Sequence, residues 1–171
     1  TNRIRQEDRY EASLATAVAV LPSFTQLGMA ALLPHAQLAI TPDGKTVQVD
    51  GQSSVGTENR RKILSHAVGS SATSGQATAM KAEEFLNLTR DESRDLFRDN
   101  SVVYIYHNRI DVIGDKRESE ERVFDEAANT IEELILIIKR LAGANVTNMI
   151  VTADHGFIYQ HRVLEESDFA S

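Results

Sequence analysis

The chain contains no cysteine, which excludes disulfides, thiolate metal sites and cysteine nucleophiles, and fits a reducing compartment. It has no excess of positive charge: 18 Lys and Arg stand against 25 Asp and Glu, for a formal net charge of -7. A nucleic-acid interface built on a basic face is therefore not supported. A site that holds metal cations could still accept a phosphate backbone, because the ions supply the positive charge. No apolar run approaches the roughly 20 residues needed to span a membrane, and no signal peptide is visible. These absences predict a cytoplasmic protein with no membrane partner. What remains is ordinary globular composition, 171 residues with 42% hydrophobic and 25% charged, enough for one core.

Local patterns predict an α/β order. Residues 12–21 are small and β-branched and lead to Pro22, as a short strand would. Ser23-Phe-Thr-Gln26 has capping-box spacing and precedes an apolar helix over 27–33 that stops at Pro34. Pro42-Asp-Gly-Lys45 lies between two short apolar runs and signals a hairpin. Residues 57–68 predict a charged helix, and 69–75 a Gly/Ser/Thr/Ala loop. Thr89-Arg-Asp-Glu92 is a second capping box, opening a helix through Phe97, and 102–106 predict a strand. The longest helix is expected over 118–141, with Phe124, Ala127, Ala128, Ile131, Leu134, Ile135, Ile138 and Leu141 on one apolar stripe. Gly143 would stop it before a strand over 146–151. Strand–helix–strand implies a right-handed crossover and a parallel sheet.

The pattern richest in chemistry is Val151-Thr-Ala-Asp-His-Gly-Phe157. In open α/β sheets, ligands sit outside the carboxyl ends of the strands. There Asp154 offers a hard oxygen and His155 a borderline nitrogen, a mixture that suits zinc or manganese. Gly156 lets the backbone turn sharply. A plain polar turn after a strand is the alternative reading. Ile110-Asp-Val-Ile-Gly-Asp115 follows a strand in the same way, with Asp111 and Asp115 spaced so that a turn could bring both carboxylates to one ion. Thr25 lies where a strand would turn into a helix, a place that favours anions; as an isolated residue it could be a cap or a nucleophile. His107, Asn108 and Arg109 could contact substrate, although a hydrogen-bonded structural histidine is the simpler role. His35 and His66 read as packing or surface residues, and Glu58-Asn-Arg-Arg61 as a solvated face whose arginines could approach a phosphate.

Taken together, Leu21-Pro-Ser-Phe-Thr-Gln-Leu-Gly-Met-Ala-Ala-Leu-Leu-Pro-His35, Gly56-Thr-Glu-Asn-Arg60, Tyr104-Ile-Tyr-His-Asn-Arg-Ile-Asp-Val-Ile-Gly-Asp115 and Thr152-Ala-Asp-His-Gly-Phe157 resemble the PglZ domain of bacterial phage-exclusion (BREX) defence systems. That domain belongs to the alkaline phosphatase superfamily. The resemblance implies an α/β fold, an alkaline-phosphatase-like parallel sheet flanked by helices. It implies in-line phosphoryl transfer with Thr25 as the nucleophile and two divalent ions, zinc or manganese, in the complete domain. Asp154 and His155 match one metal position and Asp111 the other. Asp115 stands where a histidine is usual, an oxygen ligand that shifts the balance toward manganese or magnesium.

Two ligands of the superfamily pattern have no match. Asp8 has no strand before it, and His161 stands too close to the Asp-His pair. Residues 1–171 are thus expected to be a central fragment, a partial domain lacking its first strand and its C-terminal end. Alone, it would hold one metal weakly or none. The implied partners are a phosphate-ester substrate, nucleic acid within range, and other defence-system proteins. The competing reading is a non-catalytic interaction module anchoring a defence complex; a third, a mutase acting on sugar phosphates, shares the ligands and differs in substrate.

Overall fold

The computed structural model describes residues 1–6, 10–69, 75–110 and 123–156. Asp8, Asp111, Asp115, His161, most of the 69–75 loop and the first residues of the longest predicted helix lie outside the described residues. In chain order the elements are α1 (Asn2–Arg5), α2 (Thr25–Ala31), β1 (Leu38–Ile40), β2 (Val47–Val49), β3 (Gln52–Ser53), α3 (Gly56–Gly69), β4 (Ala77–Lys81), α4 (Ala82–Asn87), α5 (Arg90–Asp99), β5 (Val102–Tyr106) and α6 (Val123–Gly143).

The predicted hairpin is present. Leu38 pairs with Val49 and Ile40 with Val47 in antiparallel register, and Asp43 caps the turn by accepting from Thr41 Oγ1 at 2.6 Å and Lys45 N at 3.2 Å. A second reversal brings in β3 through Asp50 and Gly51, both at positive φ (48° and 80°), the backbone that a two-residue hairpin turn requires. The other sheet is the parallel pair β4–β5, in register from Ala77↔Val102 to Lys81↔Tyr106.

Period-two alternation gives the parallel pair two apolar faces. Ala77, Ala79, Val102, Tyr104 and Tyr106 meet one core with Leu27 and Ala30 of α2, Leu33 just past its end, Val47 and Val49 of β2, and Ile63 and Leu64 of α3. Met80 and Ile105 meet a second core around Ala82 and Phe85 of α4 and Ile137 of α6. A parallel sheet between helical layers is α/β architecture. Arg140 ties α6 to the end of α4, donating to Leu86 O at 2.6 Å and to Leu88 O, with its guanidinium 5.8 Å from the Phe85 ring centroid. The terminal carbonyls of α4 are satisfied in this way.

Several local expectations are corrected. Residues 12–21 and 146–151 lie in no helix and no strand. A strand exists only by pairing, and Val18 and Ile150 are 95% and 92% exposed, with no neighbour supplying a ladder. The parallel crossover ending at 146–151 is therefore not formed. Ser23 is not the cap of α2: that helix starts at Thr25, with Phe24 at the N-cap and no side-chain cap bond. The stripe on α6 holds at Ile135 and Ile138, which are buried, and at Leu134 and Leu141, which are partly so. Ile131 is half-exposed, and Ile137, outside the stripe, is buried against Phe85. Gly143 is the last helical residue, and the stop falls at Asn145, whose φ of 67° supplies the left-handed turn. β4 and α4 carry no signal that the sequence reading used.

Candidate functional site

The site is built where the N-terminus of α2 meets the segment that follows α6. After Asn145, at a φ of 67°, residues 146–153 lead without helix or strand to Asp154, whose backbone lies directly on α2 at Gly28. Gly28 makes this approach possible. A Cβ on residue 28 would stand 2.5 Å from the Asp154 carbonyl oxygen and 2.9 Å from its Cβ. No side chain but hydrogen fits there. A glycine inside a helix costs about 1 kcal/mol relative to alanine, so its presence between Leu27 and Met29 needs a packing reason, and Asp154 is that reason. This is the residue that the motif reading missed. An isolated Gly within an apolar helical run was the available signal.

The result brings together residues far apart in sequence. Thr25 Oγ1, exposed on the first turn of α2, lies 3.3 Å from His155 Nε2. His155 Nε2 lies 3.6 Å from Asp154 Oδ2. His155 Nδ1 is 3.0 Å from the Gly156 carbonyl oxygen, and a carbonyl can only accept, so Nδ1 carries the proton and Nε2 presents its lone pair to Thr25. Second-sphere fixing of this kind is what orients metal-binding histidines. Asp154 Oδ2 is buried with no hydrogen-bond partner among the described residues. A carboxylate oxygen that has lost water without gaining a donor is anomalous for a turn and expected for a cation ligand.

A carboxylate oxygen, an imidazole nitrogen and a hydroxyl thus converge, and their chemistry fits a divalent cation. The set is partial. Among the described residues no group of three or more His, Asp or Glu could hold a metal, and the expected second pair, Asp111 and Asp115, lies outside them.

The other candidates are placed elsewhere. His107 Nε2 lies 3.3 Å from Glu133 Oε2, and Arg109 donates to the same oxygen at 3.1 Å, so the end of β5 is tied to α6. Burial raises the Glu133 carboxyl, but the hydrogen bonds and charges of Arg109 and His107 outweigh it and hold it below the ordinary value. His35 Nδ1 contacts Leu33 O at 2.6 Å. His66 is exposed on α3. No described helix is long and apolar enough to cross a membrane.

The class of protein is the alkaline-phosphatase-like one, shown by the family match over the whole chain. The chain belongs to the PglZ family: residues 1–171 match the BREX system PglZ alkaline phosphatase-like domain. It is 43% identical to the "alkaline phosphatase-like protein BrxZ" of Escherichia coli O9:H4 (strain HS) over 172 residues, which cover 98% of this chain and 19% of that protein. It is 34% identical to the "alkaline phosphatase-like protein PglZ" of Bacillus cereus (strain H3081.97) over 169 residues, again 98% of this chain and 19% of that protein. The chain thus spans about a fifth of the length of these curated relatives. No solved structure matches it.

Proposed function

We propose that this segment carries the nucleophile of a metal-dependent phosphoryl hydrolase, a phosphodiesterase or nuclease-like activity working within a BREX anti-phage defence system. The observation that carries the reading is the 3.3 Å contact between Thr25 Oγ1 and His155 Nε2, beside the unpartnered Asp154 carboxylate oxygen. Family membership supports the alkaline-phosphatase-like chemistry, and the names of the relatives support the defence context.

Asp154 and His155 would hold one divalent cation, zinc or manganese; bound there, it would supply Lewis-acid charge that lowers the Thr25 pKa and neutralises developing negative charge. The chain's own residues do the rest. Thr25 Oγ1, exposed, is open to an incoming phosphate ester. In the structure its hydroxyl faces the Nε2 lone pair, the one lone pair that a cation held by His155 would take, so with a cation held there Thr25 would no longer donate to His155. A bond forms from Oγ1 to phosphorus as the ester P–O bond breaks in line, the Thr25 proton passing through solvent to the departing oxygen; water then attacks phosphorus, the Oγ1–P bond breaks, and a proton from that water restores the hydroxyl as the phosphate product leaves. The substrate class is a phosphate ester, with nucleic acid within range despite the acidic net charge of -7.

One observation favours a second reading, a docking module within a defence complex. Leu14, Val18, Leu21, Ile150 and Val151 are all exposed, large apolar side chains of the kind that other protein surface would bury. Hydrolysis of bis(p-nitrophenyl) phosphate by the complete protein, with and without added zinc or manganese, separates the two. The expected outcome is metal-dependent turnover that Thr25→Ala abolishes while folding is kept. Near-normal turnover in Thr25→Ala removes the nucleophile assignment, and no turnover with any metal in a folded protein leaves the docking reading.

A further inference from the structure

A second feature lies at the carboxyl-terminal end of the parallel pair. Arg61 Nε donates to Ala79 O at 2.8 Å and Ser65 Oγ to Ala77 O at 2.6 Å. These bonds run α3 antiparallel to β4 and place its first turn at the end of the strands, the edge where α/β sheets bind ligands. Two arginines stand there, and their surroundings differ. Arg61 is compensated by Glu58 at 2.8 Å. Arg60 donates from Nε to Ser54 O at 3.0 Å, and its guanidinium lies 5.0 Å from the Tyr106 ring centroid. It has no carboxylate partner among the described residues. In a chain of net charge -7, a half-buried arginine without an acid is conspicuous.

Tyr106 repeats the pattern. Its neighbour Tyr104 donates to Leu32 O at 2.9 Å, whereas the Tyr106 hydroxyl is buried with no hydrogen-bond partner. Burial pushes its phenol up to about 12, with the Arg60 charge pulling the other way, so at neutral pH it is a proton donor. The strand end therefore gathers a guanidinium whose Nε is taken by Ser54 O, with its terminal N–H groups beside Tyr106, and a phenol O–H that has no acceptor among the described residues. A cation stacked on an aromatic ring is held by its face and keeps its edge N–H groups for a planar or tetrahedral oxyanion.

We propose that Arg60, positioned by Tyr106 and Ser54, is an anion-binding residue that takes a phosphate group at the carboxyl-terminal edge of β4–β5. Assigning that phosphate to the substrate rests on the phosphoryl-transfer reading; the binding itself does not. Arg60 belongs with Thr25 in one structural unit, since Phe24, next to Thr25, and Tyr106 pack on the same core. The role of Arg60 is to hold the non-reacting oxygens of a phosphate ester, supplying positive charge that the acidic surface lacks.

The test uses inorganic phosphate as the probe, titrated into the complete protein in EDTA at fixed ionic strength and followed by calorimetry. Arg60→Met keeps an apolar stem over the Tyr106 ring, and Arg60→Lys keeps the charge without the fork. Loss of a charge-assisted hydrogen bond raises Kd by about tenfold to a hundredfold, so Arg60→Met is expected to weaken phosphate by that factor, Arg60→Lys by less, and Arg94→Met, on the surface of α5, not at all. Equal phosphate binding by wild type and Arg60→Met, or no phosphate binding by wild type at millimolar concentration, overturns the proposal. The two readings fail separately. Arg60-dependent binding without any hydrolysis sinks the hydrolase and keeps the subsite; Thr25-dependent hydrolysis with Arg60-independent binding does the reverse.

Discussion

Gly28 is the position where helix propensity and site geometry make opposite demands. Alanine is favoured over glycine inside a helix by about 1 kcal/mol, so propensity alone makes Gly28→Ala stabilising. The new Cβ, however, would stand 2.5 Å from the Asp154 carbonyl oxygen and 2.9 Å from the carbonyl carbon. Those are backbone atoms, and no rotamer change relieves them. Restoring the 3.4 Å of ordinary contact from 2.5 Å moves the Asp154 carbonyl by roughly 0.9 Å. Overpacking of this kind costs about 1–3 kcal/mol, which exceeds the propensity gain over most of its range.

The displacement acts on function as well. The Thr25–His155 contact is already long at 3.3 Å, and a shift of nearly 1 Å in the adjoining residue takes it out of hydrogen-bond range. Misplacement by about 1 Å costs about a hundredfold in rate. Hydrogen exchange should report the strain at the amides of Gly28 and Leu32, which donate to Phe24 O and Gly28 O within α2. A net loss of about 1–2 kcal/mol appears as roughly five- to thirtyfold faster exchange. Gly143→Ala is the control, a helical glycine with open space where its Cβ would go. If Gly28→Ala matches Gly143→Ala in exchange and keeps wild-type turnover of bis(p-nitrophenyl) phosphate, Asp154 does not depend on Gly28 and the site is wrongly built.

Three further outcomes follow from the same structure. Phe85 is fully buried between α4 and α6, so Phe85→Ala should cost about 3–5 kcal/mol in chemical denaturation of its unit; under 1 kcal/mol would mean that the second core is not as described. Thr89 accepts from Glu92 N and donates to its carboxylate, so Thr89→Ala should cost about 1 kcal/mol. Those bonds from Thr89 hold the Glu92 carboxyl below its ordinary value; its contribution is complete above the ordinary glutamate range and is lost as pH falls through the lowered value, and Glu92→Gln should flatten that acid limb. Tyr106, with its phenol at about 12 against an ordinary 10.0, contributes stability that is complete below pH 10 and declines as pH rises toward 12; ultraviolet titration of Tyr106→Phe should lack the highest ionisation, and loss of a step near 10 instead would refute the burial argument.

Residues whose structure is local were legible in the sequence. The Pro42–Lys45 turn, the Thr89 capping box, α3 and β5 each carry their own signal within a few residues, and each is present. The misplaced elements depend on distant partners. Residues 12–21 and 146–151 have strand composition, but composition does not supply a neighbouring edge. The run of Ile and Leu in α6 marks the helix and, through Ile135 and Ile138, much of its buried side, but not Ile137, which is buried against Phe85, some fifty positions away. β4 is nearly invisible because a strand buried by α3 on one face takes small residues, and Ala77-Thr-Ala-Met-Lys81 shows little β preference. The site divides along the same line. Thr25, Asp154 and His155 were identifiable by chemistry and family resemblance, whereas Gly28 had a meaning only once Asp154 was seen against it.

The Asp154 carboxylate gives the sharpest test of whether this arrangement is made for a cation. A buried charged oxygen without a donor is unfavourable in the metal-free state. Asp154→Asn removes the charge at nearly constant shape, so in EDTA the variant should unfold at a temperature no lower than wild type. Added manganese should reverse the order. A ligand at a hundred times its dissociation constant stabilises the folded state by about 2.7 kcal/mol, and that gain belongs to wild type because the amide is a poorer ligand for a divalent ion. A structural carboxylate predicts the opposite sign in EDTA, since breaking a needed interaction destabilises the variant under every condition. The crossing of the two unfolding temperatures, measured in the complete protein with and without manganese, therefore separates a metal ligand from a turn residue without any reliance on activity.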